Sequence, residues 1–280
     1  MLPTVLVNPV FFTAGCLLLG LALGSFLNVV VHRLPVMLQR QWDADKGDLK
    51  VAERYDLIFP SSRCPKCRSP IAWRHNIPVL GWCWLRGRCA HCQASISARY
   101  PILEIAAGLT AAAVAWRFGP GFAAVAGIGL SLTLLALTLI DIDHLLLPDA
   151  ITLPGIWAGL LVNLGHTFTD LRSAVLGAIA GYLSLWLVYH LFKWLTGKEG
   201  MGYGDFKLLA LIGAWLGWQS LPACILLASV IGSVYGIGVI ILRGRDRQQP
   251  FPFGPFLAGA GWISLMWGAA LREAYWQLVV

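Results

Sequence analysis

The sequence predicts an all-α polytopic membrane protein of about eight transmembrane helices, with a polar, cysteine-bearing insert between the first two. Three observations carry this. Of the 280 residues, 58% are hydrophobic and only 12% charged, about half the charged share of a soluble domain. Polar groups therefore cannot cover the surface, and lipid must. Long stretches lack any charge, and the positive charge is gathered into one segment.

Taken in order, Val10 to Val31 and Phe118 to Ile140 are uncharged, and each exceeds the ~20 residues that span a bilayer. Ala150 to Thr169, Ser173 to Phe192, Leu208 to Leu242 and Pro250 to Leu271 are uncharged as well. The run from Leu208 is too long for one helix, and Pro222 is expected to split it by removing a backbone donor and clashing with the preceding turn. A weaker run, Ile105 to Trp116, completes the eight. The first run has no positive n-region and no small-residue cleavage site, so it reads as a retained helix rather than a signal peptide. Gly177, Gly181, Gly232, Gly236 and Gly238 read as close-packing positions between helices. The chain shows no internal repeat.

The segment His32 to Tyr100 holds 12 Lys+Arg against 5 Asp+Glu and so carries the entire net charge of +7. With this segment cytoplasmic, alternation through eight helices leaves only Arg117, Arg172 and Arg272 outside, a strong positive-inside pattern. Both termini then face the non-cytoplasmic side. Three parts follow: a first helix (1–31), a polar insert (32–100) whose stretch Gln39 to Arg54 reads as an amphipathic or mobile surface segment, and a seven-helix body (101–280). A basic insert beside a membrane is explained by topology and anionic lipid. The aromatic and basic stripe of a single-strand nucleic-acid platform is lacking, and packing is expected to account for Trp73, Trp82 and Trp84.

Within the insert, Cys64-Pro-Lys-Cys67 and Cys89-Ala-His-Cys92 form two C-x-x-C pairs separated by 21 residues. The spacing suits two knuckles closing one tetrahedral zinc site. Two disulfides or a redox pair are the alternative, disfavoured in a reducing cytoplasm. Four protein ligands leave no open position, so such a zinc is structural; His91 could replace one cysteine. Cys16, Cys83 and Cys224 read as bystanders.

Ionisable residues within or at the rim of a membrane span are functional candidates. One cluster, Asp141-Ile-Asp143 followed by Pro148-Asp149, ends the third run. The other, Gly202-Tyr-Gly204-Asp205, opens the sixth, and alternation puts both at the same membrane face. Asp149 has the setting of an N-cap, as has Asp205, and Glu104 and Glu199 read as solvated or capping. Two aspartates held close together cannot both ionise easily and share a proton. One is then a general base on water while its partner polarises a carbonyl. No G-x-S-x-G, H-E-x-x-H or G-x-x-x-x-G-K competes.

Gly24-Ser-Phe-Leu-Asn-Val-Val-Val-His32-Arg-Leu-Pro35, the paired knuckles, Ser97-Ala-Arg-Tyr-Pro101, Asp141-Ile-Asp143…Pro148-Asp149 and Gly202-Tyr-Gly-Asp-Phe-Lys-Leu208 occur in the order found in bacterial prepilin peptidases. The resemblance runs from about residue 15 to residue 270. It implies an inner-membrane enzyme, with its active site at the cytoplasmic face, that cleaves the basic leader of prepilins and pseudopilins. It implies Asp141 and Asp205 as the catalytic pair, the four cysteines as zinc ligands, and N-methylation of the new terminus from S-adenosylmethionine, an activity the resemblance associates with the cysteine-bearing insert 32–100. No residue of the methyl-donor site is indicated. The rival classes are a proton- or cation-coupled transporter, which would place its polar groups near the bilayer midplane, and a non-enzymatic assembly module built on the basic insert.

Overall fold

The computed structural model describes residues 8–47, 54–198, 200–243 and 251–279. Glu199, residues 48–53 of the charged stretch and most of the 243–249 loop lie outside them. Among the described residues the architecture is helical, with two isolated β-bridges and no strand. The chain divides into two compact units, Met1–Ala124 and Val125–Val280.

The first unit is built on α1 (Pro9–Asp45). Asn8 starts this helix by accepting the N–H of Val10 on its side chain, with Pro9 at the first position where its missing donor costs nothing. The helix does not stop at residue 31 but continues through the buried Pro35 for more than three further turns. A short 3-10 turn (Trp73–Asn76) and α2 (Leu80–Trp84) follow within the insert, then α3 (Arg99–Phe118). The weak run at 105–116 is therefore a full 20-residue helix, underestimated because Arg99, Glu104 and Arg117 interrupt its hydropathy. α1 and α3 meet through small residues: a Cβ on Gly20 would stand 2.7 Å from that of Ala111, and one on Gly24 would stand 2.8 Å from Glu104 Cα. This is close backbone packing of the Gly-x-x-x-Gly kind. Arg33 ties α1 to the insert, donating to the carbonyls of Asp56 (3.0 Å) and Pro60 (2.6 Å).

The second unit comprises α4 (Phe122–His144), α5 (Asp149–Val162), α6 (Leu171–Thr196), α7 (Tyr203–Leu216), α8 (Leu221–Arg243) and α9 (Gly254–Val279). Its centre is α7. Every residue from Asp205 to Leu216 except Lys207 is buried, with α5, α6 and α9 packed around it. A helix that is apolar on all sides is a core helix. Gly177 lies against the Gly213 carbonyl, and a Cβ on Gly181 would be 2.6 Å from the Leu209 carbonyl oxygen, so these two are the close-packing positions expected of them. Gly232 makes only ordinary contact, and Gly238 has nothing within 4 Å. The expected break in the long apolar run falls at Gly217 (φ +80°), followed by a 3-10 turn. Pro222 is the second residue of α8, so it begins a helix rather than breaking one.

Each of the eight apolar runs corresponds to a helix, but six described helices are long and apolar enough to cross a membrane. α5 and α7 have 14 residues each, about 21 Å at 1.5 Å per residue, short of the ~30 Å hydrocarbon core. The run at 150–169 is cut by Asn163. This buried side chain donates to the carbonyls of Ala214 (3.0 Å) and Trp215 (2.9 Å) and accepts from the N–H groups of Phe168 and Thr169. One amide thus satisfies the end of α7 and the turn leaving α5.

Candidate functional site

In the second unit the termination of α4 sets the site. Leu145 takes a left-handed conformation (φ +52°), and its N–H returns to the Asp141 carbonyl at 2.9 Å, a helix stop usually given to glycine. The reversal turns Leu147 inward, where it is buried. Leu147 packs where a Cβ on Gly204 (2.7 Å) or on Gly254 (3.3 Å) would stand. Three segments therefore close on one side chain: the end of α4, the start of α7 and the start of α9.

Four aspartates occupy this region, and burial separates them. Asp141 is 6% exposed and Asp205 is 7% exposed, whereas Asp143 and Asp149 are exposed. Asp141 lies one turn from the end of α4, and its Oδ2 accepts the N–H of Gly254 at 2.9 Å. That N–H belongs to the first residue of α9, one of the orphan donors of a helix N-terminus. Asp205 lies in the first turn of α7 and within the field of the Asp141 charge. It is not the N-cap, which is Gly202. Its segment is held by an aromatic cluster: Tyr189 stands 5.3 Å from Tyr203 and 5.7 Å from Phe206, and Tyr182 meets Phe206 edge-on. Asp149 is likewise not a cap. It is the first residue of α5, with Pro148 before it, and it receives both Lys207 contacts at 2.6 and 2.7 Å. This pair clamps the starts of α5 and α7 together beside the buried acids.

In the first unit all four cysteines predicted as metal ligands converge, their sulfurs within 4.8 Å of one another. Cys64 and Cys92 are 3.8 Å apart and Cys67 and Cys89 are 3.9 Å apart. A tetrahedron with bonds near 2.3 Å has edges of about 3.8 Å, so the donor set fits a four-thiolate metal. The two knuckles are copies of each other. Bridges pair Arg63 with Pro70 and Arg88 with Ser95, and Arg68 and Gln93, each just after its C-x-x-C, both have positive φ. The duplication was invisible as a repeat because it spans one turn and keeps little beyond the cysteines. Ser69 hydrogen-bonds Cys67 through its side chain and backbone, which lowers the thiol below its ordinary range. Cys16 and Cys224 are buried in helices, and Cys83 is exposed.

At some positions the structure differs from the sequence expectation. Glu104 is not solvated: it is 8% exposed, and its Oε2 accepts the N–H of Val79 at 2.7 Å. Trp82 packs and donates to the Ile96 carbonyl, but Trp73 and Trp84 are 77% and 73% exposed, so packing does not explain them. The roles of Gly254, Leu147 and the Asp149–Lys207 clamp do not follow from the sequence pattern. Gly254-Pro255 opening a helix was the one available signal.

Fold and site together define a multi-pass membrane protein with two buried aspartates at helix ends in one unit and, in the other, four clustered thiols that could hold a metal ion. Comparison with known proteins then places it: the chain belongs to the type IV leader peptidase family. That family matches residues 128–237, and the bacterial peptidase A24 N-terminal domain matches residues 18–118. A prepilin leader peptidase/N-methyltransferase of Aeromonas salmonicida is 52% identical over 271 residues, covering 94% of this chain and 93% of its own. Proteins of the same description from Aeromonas hydrophila (54%, covering 92% and 91%) and Pseudomonas aeruginosa (49%, covering 96% and 95%) are similar over nearly their whole length. No solved structure matches.

Proposed function

We propose that this chain cleaves the leader of type IV prepilins and pseudopilins with Asp141 and Asp205 and then N-methylates the exposed terminus. The observation that carries the reading is the convergence of two buried aspartates from the ends of α4 and α7. With one proton shared between them, the ionised carboxylate takes a proton from water while the protonated one hydrogen-bonds the scissile carbonyl oxygen. The water oxygen adds to the carbonyl carbon. Collapse breaks the C–N bond, and the departing nitrogen takes up a proton to become the new terminus. The Gly254 N–H orients Asp141, and the glycines before Asp205 let a substrate backbone come close.

In this reading the site faces the cytoplasm at the inner membrane and both termini lie on the other side, supported by the basic segment 32–100. Functionally the chain divides into a first transmembrane helix (1–31), a zinc module (32–100) and a seven-helix protease body (101–280). Cys64, Cys67, Cys89 and Cys92 hold a structural zinc. S-adenosylmethionine supplies the methyl group when bound. The partners are prepilins, pseudopilins and lipid, not nucleic acid. A transporter does not account for two buried acids at helix ends in a leader peptidase family member.

The test is prepilin cleavage in detergent by wild type, Asp141→Asn and Asp205→Asn, with the product terminus read by mass spectrometry. Both variants are expected to lose cleavage, and the wild-type product to gain one methyl group when S-adenosylmethionine is supplied. Wild-type cleavage by either variant refutes the dyad.

A further inference from the structure

A cavity of about 700 Å³ lies wholly within the first unit, between the cysteine knuckles and the facing segments of α1 and α3. Its size falls in the range of sites for small organic ligands, roughly 300–1,000 Å³. On the helical side, Asn28 of α1 donates to the Tyr100 carbonyl at 3.2 Å, and Glu104 lies one turn further along α3. Glu104 is the one carboxylate among the described residues lining the cavity. It is more than nine-tenths buried, and one of its oxygens is taken by the Val79 N–H. Val79 has φ +61° and ψ −51°, a strained turn conformation that is a true outlier for a β-branched residue and of the kind that clusters at functional sites. Tyr55, Trp82 and Ile96 supply aromatic and apolar wall, and Arg63, Lys66 and Arg68 supply positive charge.

A buried acid with an oxygen left for a ligand, inside an otherwise basic and aromatic pocket, calls for a ligand pair with a particular charge pattern. Methyl transfer to an amine has that pattern. S-adenosylmethionine carries an adenine, suited to the aromatic wall, and a carboxylate, suited to the basic side chains. The peptide brings an α-ammonium, which must lose a proton before its nitrogen can attack. The family resemblance already associates methyl transfer with this insert; we infer that Glu104, facing this cavity, is the catalytic base that receives the new pilin N-terminus. The inference rests on the methyltransferase reading above. The ammonium gives one proton to the free oxygen of Glu104. The nitrogen lone pair forms the N–CH3 bond as the C–S bond breaks, with both electrons of that bond going to sulfur. The products are a methylated ammonium and a neutral thioether, and the proton on Glu104 passes to water.

Glu104→Gln keeps an oxygen to accept the Val79 N–H and removes the base. In detergent-purified full-length protein, this variant is expected to bind tritiated S-adenosylmethionine by equilibrium dialysis with wild-type affinity. It is expected still to cleave prepilin, yet to methylate at least ~100-fold more slowly, the loss typical of a missing general base. Ser62→Trp and Ala94→Trp, which fill the cavity, are expected to weaken donor binding at least about tenfold, a change of 1.4 kcal/mol, with cleavage persisting. Wild-type methylation by Glu104→Gln, or unchanged donor binding by both tryptophan variants, overturns the inference. Wild-type protein that cleaves but neither binds the donor nor methylates overturns the methyltransferase reading itself, and the inference with it.

Discussion

Replacing Gly254 with alanine tests whether the start of α9 positions Asp141 for catalysis. The added Cβ would stand 2.6 Å from Asp141 Oδ2 and 3.3 Å from Leu147 Cδ2. The oxygen must therefore retreat by at least 0.4 Å to reach 3.0 Å, the shortest approach real Cβ atoms make, or by 0.8 Å for ordinary contact at 3.4 Å. α9 cannot easily yield instead, because further along it Gly261 is already pressed against Ile212 of α7. A misplacement of 1 Å at a catalytic group costs up to ~100-fold in rate, so this shift should cost roughly 10- to 50-fold, or about 1.4–2.3 kcal/mol of activation free energy. The loss should fall on kcat, since Asp141 is the reacting group and not a leader-binding one. The assay is steady-state cleavage of a purified prepilin, with Gly259→Ala as the control in the same helix, where nothing lies within 4 Å of the added carbon. A Gly254→Ala enzyme with wild-type kcat, alongside an inactive Asp141→Asn, would refute the positioning argument.

Cys64→Ser or Cys89→Ser should lower bound zinc below one equivalent by metal analysis and destabilise the insert, because a closed tetrahedral site needs all four of its protein ligands; full zinc in either variant would count against the site. Asn163→Ala strands two carbonyls and two N–H groups at ~1–3 kcal/mol each, so the melting temperature should fall sharply; a loss below about 1 kcal/mol would show that water replaces the amide. Asp56 accepts the N–H groups of Phe59 and Ile58 and pairs with Arg54, which holds its carboxyl down to about 2. Its folded value lies below the ~3.9 of an unfolded aspartate, so its stabilisation of the 56–59 turn is complete above pH 4 and lost as pH falls towards 2; amide exchange of Ile58 and Phe59 that does not change between pH 5 and 2.5, after correction for the intrinsic rate, would contradict this. Lys207→Met should change stability by less than about 1 kcal/mol, because its partner Asp149 is largely solvated; a larger loss in thermal unfolding would mean that the clamp supports the buried acids.

Much of this protein was legible in the chain because the relevant physics is local. Charge excluded from runs of bilayer length marks membrane helices whatever they pack against, and all eight runs became helices. Four thiols at knuckle spacing meet because tight turns join each pair. Asp141 and Asp205 stood out because acids are scarce at the edges of apolar runs. The errors arose where a partner distant in sequence decides. Asn163 ends a run that hydropathy would continue, because its bonds go to residues 51 and 52 positions away. Asp149 looked like a cap because its partner Lys207 is 58 positions on. Glu104 looked solvated because its partner is a backbone group of the insert.

Composition and pattern alone established a helical, membrane-embedded chain with four metal-type cysteines and few aspartates at the rims of its apolar runs. Packing settled which aspartates are buried, that the Gly254 N–H bonds Asp141 and Leu147 packs at the starts of α7 and α9, that α7 is a 14-residue core helix, and that Glu104 faces a cavity. Composition and spacing report how each segment meets solvent or lipid on average. Burial and hydrogen-bond partners depend on which segments meet, and that is set by packing between residues far apart along the chain.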